Sequence, residues 1–248
     1  MIRSAILALF GLVVSNAAFA SCASFEFDGA EFSACEVDVP AADLRLWLRN
    51  EEGEVFGSFT RLNSSLPDGQ SIAFAMNAGM FHDDRRPVGL YIEDGAQEMR
   101  VVTSEGPGNF GLLPNGVLCV NDDRAQVIES RNYASALPEC RFATQSGPML
   151  VIDGELHPRF LEDSTSLNFR NGVGVDETGT RLVAVISDQA VNFHHFARVF
   201  RDHFDLPNAL FLDGRVSRLY APELGRSDFG FPIGPILGVV VDEDASGG

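Results

Sequence analysis

The sequence predicts an α+β fold, a single domain built on a large mixed β-sheet core with few helices. Short apolar runs of strand length recur along the chain, Asp-Gly turns follow two of them, and only two segments show helical spacing. No internal repeat and no low-complexity linker breaks this pattern, so one domain is the economical reading.

The elements follow in order. Arg3 is the only charge of the first segment; an apolar run from Ala5 to Val14 comes next, then Ala18-Phe19-Ala20, a small-x-small cleavage pattern. Residues 1–20 therefore read as a signal peptide, too short to be a permanent membrane span. Leu44–Leu48 alternates with period two, as a half-buried strand does, and Ser58–Leu66 is the weaker helix. Ser71–Met76, Val88–Glu93, Gly147–Ile152, Leu182–Ile186, Ala209–Leu212 and Ile236–Val241 are apolar runs of buried-strand length. Asp94-Gly95 and Asp153-Gly154 close hairpins. Over Asn192–Phe204, Phe193, Phe196, Ala197, Phe200 and Phe204 recur at helical spacing behind a capping Asn192. The strand, helix and strand from Leu182 to Leu212 predict a crossover between parallel strands. The domain runs over residues 21–241, and 242–248 form a disordered acidic tail.

Composition narrows the function. A net charge of −17 repels nucleic acid and anionic membranes, so neither is an expected partner, and no later stretch is long enough to span a membrane. All 18 basic residues are Arg, which excludes Schiff-base chemistry, Ser-Lys dyads and a phosphate-binding P-loop lysine. The four cysteines, Cys22, Cys35, Cys119 and Cys140, form no C-x-x-C pair and have no His at ligand spacing, which argues against zinc. An even number in an exported chain reads as two disulfides; Cys22–Cys35 with Cys119–Cys140 is the local choice among three connectivities. The expected location is periplasmic or secreted. Phe19-Ala20-Ser21-Cys22 is also a weak lipoprotein box, which leaves lipid anchoring through Cys22 as an alternative.

No G-x-S-x-G elbow, H-E-x-x-H or P-loop is present. Polar and glycine clusters instead sit at the ends of apolar runs, where groups are held rigidly while facing a cleft. They are Asn77-Ala78-Gly79-Met80-Phe81, Gly106-Pro107-Gly108-Asn109-Phe110-Gly111, Gln145-Ser146-Gly147, Arg170-Asn171-Gly172 and Asp213-Gly214-Arg215-Val216-Ser217. Each alone reads as a turn or loop. Asp188 ends a strand that would lie parallel to the one ending at Asp213, so the two carboxylates form a candidate pair, although Asp188 equally suits a helix cap. Of the five histidines, His82 is the site candidate, because it follows the Asn77 cluster.

Taken in order, these clusters resemble the phosphodiester glycosidase family from about Ser71 to Val241. Asn77-Ala78-Gly79-Met80-Phe81 is similar to its N-G-G-F-F, Ser146-Gly147 to its S-G, and Arg170 with Val173-Gly174-Val175 to its R-T-A-V-G. Asp213-Gly214 with Ser217 resembles its L-D-G-G-G-S, and Asn109-Phe110-Gly111 loosely matches a further segment. Ala78 and Arg215-Val216 stand where the family has glycines, and the segment after Asp188 is shorter than usual. These departures fall around the sugar pocket, so the phosphate and acid machinery carries over better than the substrate's identity.

The resemblance implies an exported hydrolase that cleaves the glycosidic C–O bond of a sugar-1-phosphodiester in envelope or extracellular glycans. Asp213 is then the first catalytic carboxylate and Asp188 its partner. Arg170 binds the diester anion with help from Asn77 and Asn109, and Ser146 and Ser217 orient sugar or phosphate. Gly79, Gly147, Gly214 and His82 complete the expected site. No cofactor is required on this reading; a divalent cation is supported only by the abundance of Asp. Phosphodiesterase cleavage of the P–O bond and a non-catalytic carbohydrate-binding protein are the alternatives.

Overall fold

The structure, a computed structural model, describes residues 19–213 and 216–243. The predicted signal peptide up to residue 18, Gly214 and the tail beyond residue 243 lie outside the described residues. The chain opens on a hairpin, β1 (Ala20–Phe27) and β2 (Ala30–Asp38), which brings Cys22 opposite Cys35. β3 (Asp43–Trp47), the short helix α1 (Phe59–Asn63, capped by the Ser58 side chain) and β4 (Gln70–Asn77) follow. Next come β5 (Tyr91–Glu93), β6 (Ala96–Met99), β7 (Gly116–Val120), β8 (Ala125–Glu129), α2 (Ser130–Ala136) and β9 (Phe142–Ser146). β10 (Met149–Ile152), β11 (Glu155–Leu156), β12 (Asn171–Val175) and β13 (Arg181–Ser187) lead to α3 (Phe193–Arg198), which runs on into a π-helical turn over Val199–His203. β14 (Asn208–Phe211), β15 (Leu219–Ala221), β16 (Arg226–Ser227) and β17 (Ile236–Asp242) complete the chain.

The strands form three sheets rather than one. Their orders are β1-β2-β13-β12-β14-β10-β11, β16-β15-β4-β17-β3 and β6-β5-β9-β7-β8. Every pairing described is antiparallel, so the expectation of a mixed sheet is corrected while the α+β class stands. The crossover from β13 to β14 does join strands of the same direction, but β12 lies antiparallel between them and pairs with both. Two expected hairpins are present, β5–β6 at Asp94-Gly95 and β10–β11 at Asp153-Gly154, where both Asp residues adopt positive φ. The tail starts later than expected, since Asp242 ends β17 and the Glu243 N–H donates to Gly69 O.

One central cluster draws side chains from all three sheets: Val173, Leu182 and Leu210 from the first, Leu46, Phe74 and Leu237 from the second, Leu118 and Phe142 from the third. A second cluster covers the other face of the first sheet, where Phe196 and Phe200 pack against Val183, Val185 and Phe211. β12 makes room for that helix. A Cβ on Gly174 would stand 2.8 Å from the Phe200 ring, so the glycine lets aromatic side chains lie flat on the strand. Each buried aromatic contributes roughly 1.5–3 kcal/mol.

Both disulfides have the expected local pairing, Cys22–Cys35 and Cys119–Cys140. The first takes up the thiol that a lipid anchor on Cys22 would need, which corrects that alternative. Among the described residues no helix is long and apolar enough to cross a membrane.

Candidate active site

β12 starts where β13 and β14 end, so Arg170, Asn171 and Asp213 gather at one sheet edge. Asn77, the last residue of β4 in the second sheet, meets them there: Asn171 Nδ2 donates to Asn77 O at 2.8 Å and to Asn77 Oδ1 at 3.2 Å. A cleft of about 670 Å³ opens in front, and its lining includes Arg170, Asp213, Asn109 and His82. Widely separated loops therefore converge.

Arg170 is 1% exposed. Its backbone is fastened to Ser187, whose hydroxyl accepts its N–H at 2.8 Å and whose N–H donates to its carbonyl. Nε donates to Val191 O at 2.8 Å and Nη2 to Ser166 O at 3.0 Å, while the Phe193 ring centroid lies 3.7 Å from Cζ. Both acceptors are neutral, and among the described residues Nη1 makes no hydrogen bond and no carboxylate stands at ion-pair distance. Burial pushes this guanidinium down to about 10, still a full cation at neutral pH. A buried cation without an anion is electrostatically incomplete, and a bound anion completes it.

Asp213 is 7% exposed, and its backbone is fixed by three side chains. Its N–H donates to Asn171 Oδ1 at 3.0 Å, Ser217 Oγ donates to its carbonyl at 2.6 Å, and Ser146 Oγ donates to the preceding carbonyl of Leu212. The expectation that Ser146 orients the substrate is thereby corrected, whereas Ser217 also lines a recess beside the cleft. Ser146 is fully buried, and both hydroxyls hold the chain that carries Asp213. Asn77 also lies behind the cleft: fully buried, its Oδ1 accepts the Arg218 N–H at 2.8 Å, and its Nδ2 has no partner.

Two of the expected glycines, Gly79 and Gly147, serve packing. Gly79 donates its N–H to Thr144 Oγ1 at 3.2 Å, and a Cβ there would come within 2.3 Å of that oxygen. A Cβ on Gly147 would stand 2.6 Å from Asn115 Cβ. These positions let the ends of β4 and β9 approach their neighbours closely enough to form the cleft floor.

Asp188 does not join the site. It follows β13, but the chain there turns toward β2, away from β12 and β14, and its N–H donates to Glu31 O at 2.9 Å. Its carboxylate accepts from Ser33 Oγ at 2.8 Å and forms an ion pair with Arg226, which also pairs with Asp228 at 2.9 Å. Asp188 thus ties the first sheet to the second, and the expected Asp213–Asp188 pair is corrected.

One cleft residue, and the role of another inside a flagged cluster, escaped the sequence reading. Arg85, in the cleft wall, donates from Nη1 to Asp83 O at 2.7 Å and lies 5.4 Å from the Phe81 ring centroid. Its sequence context, Asp83-Asp84-Arg85-Arg86, reads as an ordinary solvated turn. Asn171 carried a signal that was not weighed, a polar side chain inside a run of glycine and valine. Among the described residues no group of three or more His, Cys, Asp or Glu is arranged to hold a metal ion.

A family profile described as phosphodiester glycosidase matches residues 70–239, more than half of the chain. The chain belongs to the phosphodiester glycosidase family. Arg170, Asp213, Asn109, His82, Asn77 and Asn171 all lie within the match. A protein of Escherichia coli (strain K12), the uncharacterised YigE, is 33% identical over 177 residues, 71% of this chain and 69% of its own length. Among solved structures, the chain is similar to the catalytic domain of zebrafish N-acetylglucosamine-1-phosphodiester α-N-acetylglucosaminidase, auto-inhibited by its pro-peptide. That likeness has a TM-score of 0.65 at 16% identity and covers 91% of this chain and 84% of that one. A putative exported protein of Burkholderia pseudomallei follows at 0.54 and 12% identity, covering 85% and 74%. At such identities these two likenesses show a shared fold alone.

Proposed function

We propose that this protein is an extracytoplasmic hydrolase that cleaves the bond between the anomeric carbon of a sugar and the phosphate of a sugar-1-phosphodiester. The observation that carries the reading is the meeting of Arg170, with its unengaged Nη1, and Asp213 in one cleft of an otherwise strongly acidic protein. Family membership and the substrate class in the zebrafish relative's name support it. Two disulfides and the predicted signal peptide support a location outside the cytoplasm.

The chemistry follows from the charges. Arg170 holds the diester anion, and one charge-assisted contact of this kind contributes roughly 1.5–3 kcal/mol. As the C–O bond breaks, its electron pair leaves with the phosphate oxygen, where the guanidinium offsets the added charge. Asp213 faces the sugar, which becomes oxocarbenium-like, and takes the proton of the water that attacks the anomeric carbon. A phosphate stabilised in this way departs without being protonated, so one carboxylate suffices and Asp188 is not needed. Asn109 and His82 supply further polar groups along the same wall.

Hydrolysis in heavy-oxygen water tests the bond cleaved. The label is expected in the sugar; label in the phosphate would mean P–O cleavage and sink the proposal. Asp213→Asn should lower kcat about 10²–10⁴-fold. Asp188→Asn should keep turnover within about threefold and instead cost about 1–2 kcal/mol of stability, between the values of surface and buried ion pairs. A protein that binds sugar phosphodiesters but hydrolyses none would be a binding module. The mechanism needs no cofactor, and turnover should persist in excess chelator.

A further inference from the structure

Beside the cleft lies a second recess of about 410 Å³ that shares Asn168, Val216 and Phe231 with it. Arg218 stands in this recess among Leu167, Phe169 and Phe231. The Arg218 guanidinium makes no hydrogen bond or ion pair among the described residues. The acid that acts on it, Asp228, is already engaged by Arg226 and by the Leu219 N–H. Arg218 is nevertheless held through its backbone and by packing. Its backbone N–H is anchored on Asn77 Oδ1, and its Nη2 packs so closely on Gly230 that a Cβ there would stand 2.5 Å away.

The surrounding surface is unusual. Seven large apolar side chains are strongly exposed among the described residues, and three of them, Leu167, Phe169 and Phe231, line this recess. Phe231 is 78% exposed and Phe169 55% exposed. Apolar surface concentrated beside a binding cleft marks a contact site, and an unpaired guanidinium within it specifies what the contact must carry.

We propose that this recess is the aglycone subsite, and that it takes an aglycone presenting an anionic group beside an aromatic ring. The inference rests on the proposed function, which places the diester at Arg170 and leaves its aglycone to extend along the shared wall. Phe169 and Phe231 stack on the ring, and Arg218 pairs with the anion. In so acidic a molecule, a second unpaired cation next to the first selects polyanionic substrates from neutral glycans.

The test is equilibrium binding of three aglycone products, methyl phosphate, phenyl phosphate and 4-carboxyphenyl phosphate, measured by calorimetry. In the wild type, affinity should rise severalfold when the ring is added and about tenfold again with the carboxylate. Arg218→Gln should erase the second step and Arg218→Lys should restore part of it. Phe231→Ala, which removes an exposed side chain and leaves the core intact, should erase the first. Equal affinities for all three ligands, undetectable binding of all three, or variants that weaken all three by one common factor would overturn the proposal. Because binding needs no turnover, the two readings fail separately. Steps in affinity without hydrolysis of any diester would sink the proposed function alone. Hydrolysis without the steps would sink the subsite alone.

Discussion

Asp188 and Asp213 show how residues of one type acquire different tasks. Both follow strands that end at the same sheet edge. The Arg226 guanidinium holds Asp188 in an ion pair, whereas Asp213 looks into a cleft across from a guanidinium that has no acid of its own. A third acid, Glu93, illustrates the cost of burial. Desolvation holds its carboxyl above the usual range, while Tyr91 Oη, donating at 2.6 Å, and the Leu48 N–H, donating at 3.1 Å, favour the ionised form and limit the rise. A raised folded-state value means that the native protein holds this proton more tightly than the unfolded chain does. The stability Glu93 contributes is therefore complete below pH 4.5 and declines as pH rises through its folded value. Glu93→Gln should remove that slice of the pH dependence. Compared by denaturant midpoints, the wild type should lose ground to the variant above pH 4.5; parallel curves would contradict the assignment.

At the scale of elements, the glycines of β12 were legible as a cluster but not in their purpose. Gly172-Val173-Gly174-Val175 looked like part of a ligand site, whereas its glycines open the space that Phe196 of α3 and Phe200 of the following π-helical turn fill. Gly174→Ala should therefore destabilise the protein by about 1–3 kcal/mol through overpacking. If the folded protein keeps its near-ultraviolet circular dichroism and loses less than half a kilocalorie, the helix has more freedom than this packing allows. The helix itself was readable, because its phenylalanines recur at helical spacing and Asn192 accepts the His195 N–H at 2.8 Å as a cap. The β1–β2 hairpin was not. Its alanines, serines and cysteines are weakly apolar, and pairing with β13 and the Cys22–Cys35 bridge supply what periodicity did not signal.

For the whole molecule, the two disulfides staple different regions. Cys22–Cys35 lies within the first sheet, and Cys119–Cys140 closes a loop of sequence separation 21 in the third. Replacing Cys119 and Cys140 together by Ser should cost roughly 3 kcal/mol, as the loop-entropy estimate gives for this length. Thermal unfolding of the oxidised variant checks this, and an unchanged midpoint would show that the sheet holds the loop unaided. The central cluster draws on all three sheets, so destabilising any one of them is expected to be felt at the cleft formed where β4 and β14 end and β12 begins.

The amino-acid order by itself determined the class of fold, the more strongly apolar strands, the main helix and the family, and favoured the local disulfide pairing, because these depend on local periodicity, on Cys spacing and on short motifs in register. Only the tertiary structure decided which of the flagged residues touch one cavity. Arg170, Asp213, Asn109 and His82 do; Ser146 and Asn77 support them from behind, Ser217 holds the Asp213 carbonyl from the neighbouring recess, and Asp188 serves another interface. The reason is physical. A side chain's task depends on which partner neutralises or desolvates it, and that partner comes from a distant strand whose position is set by the packing of three sheets around one core.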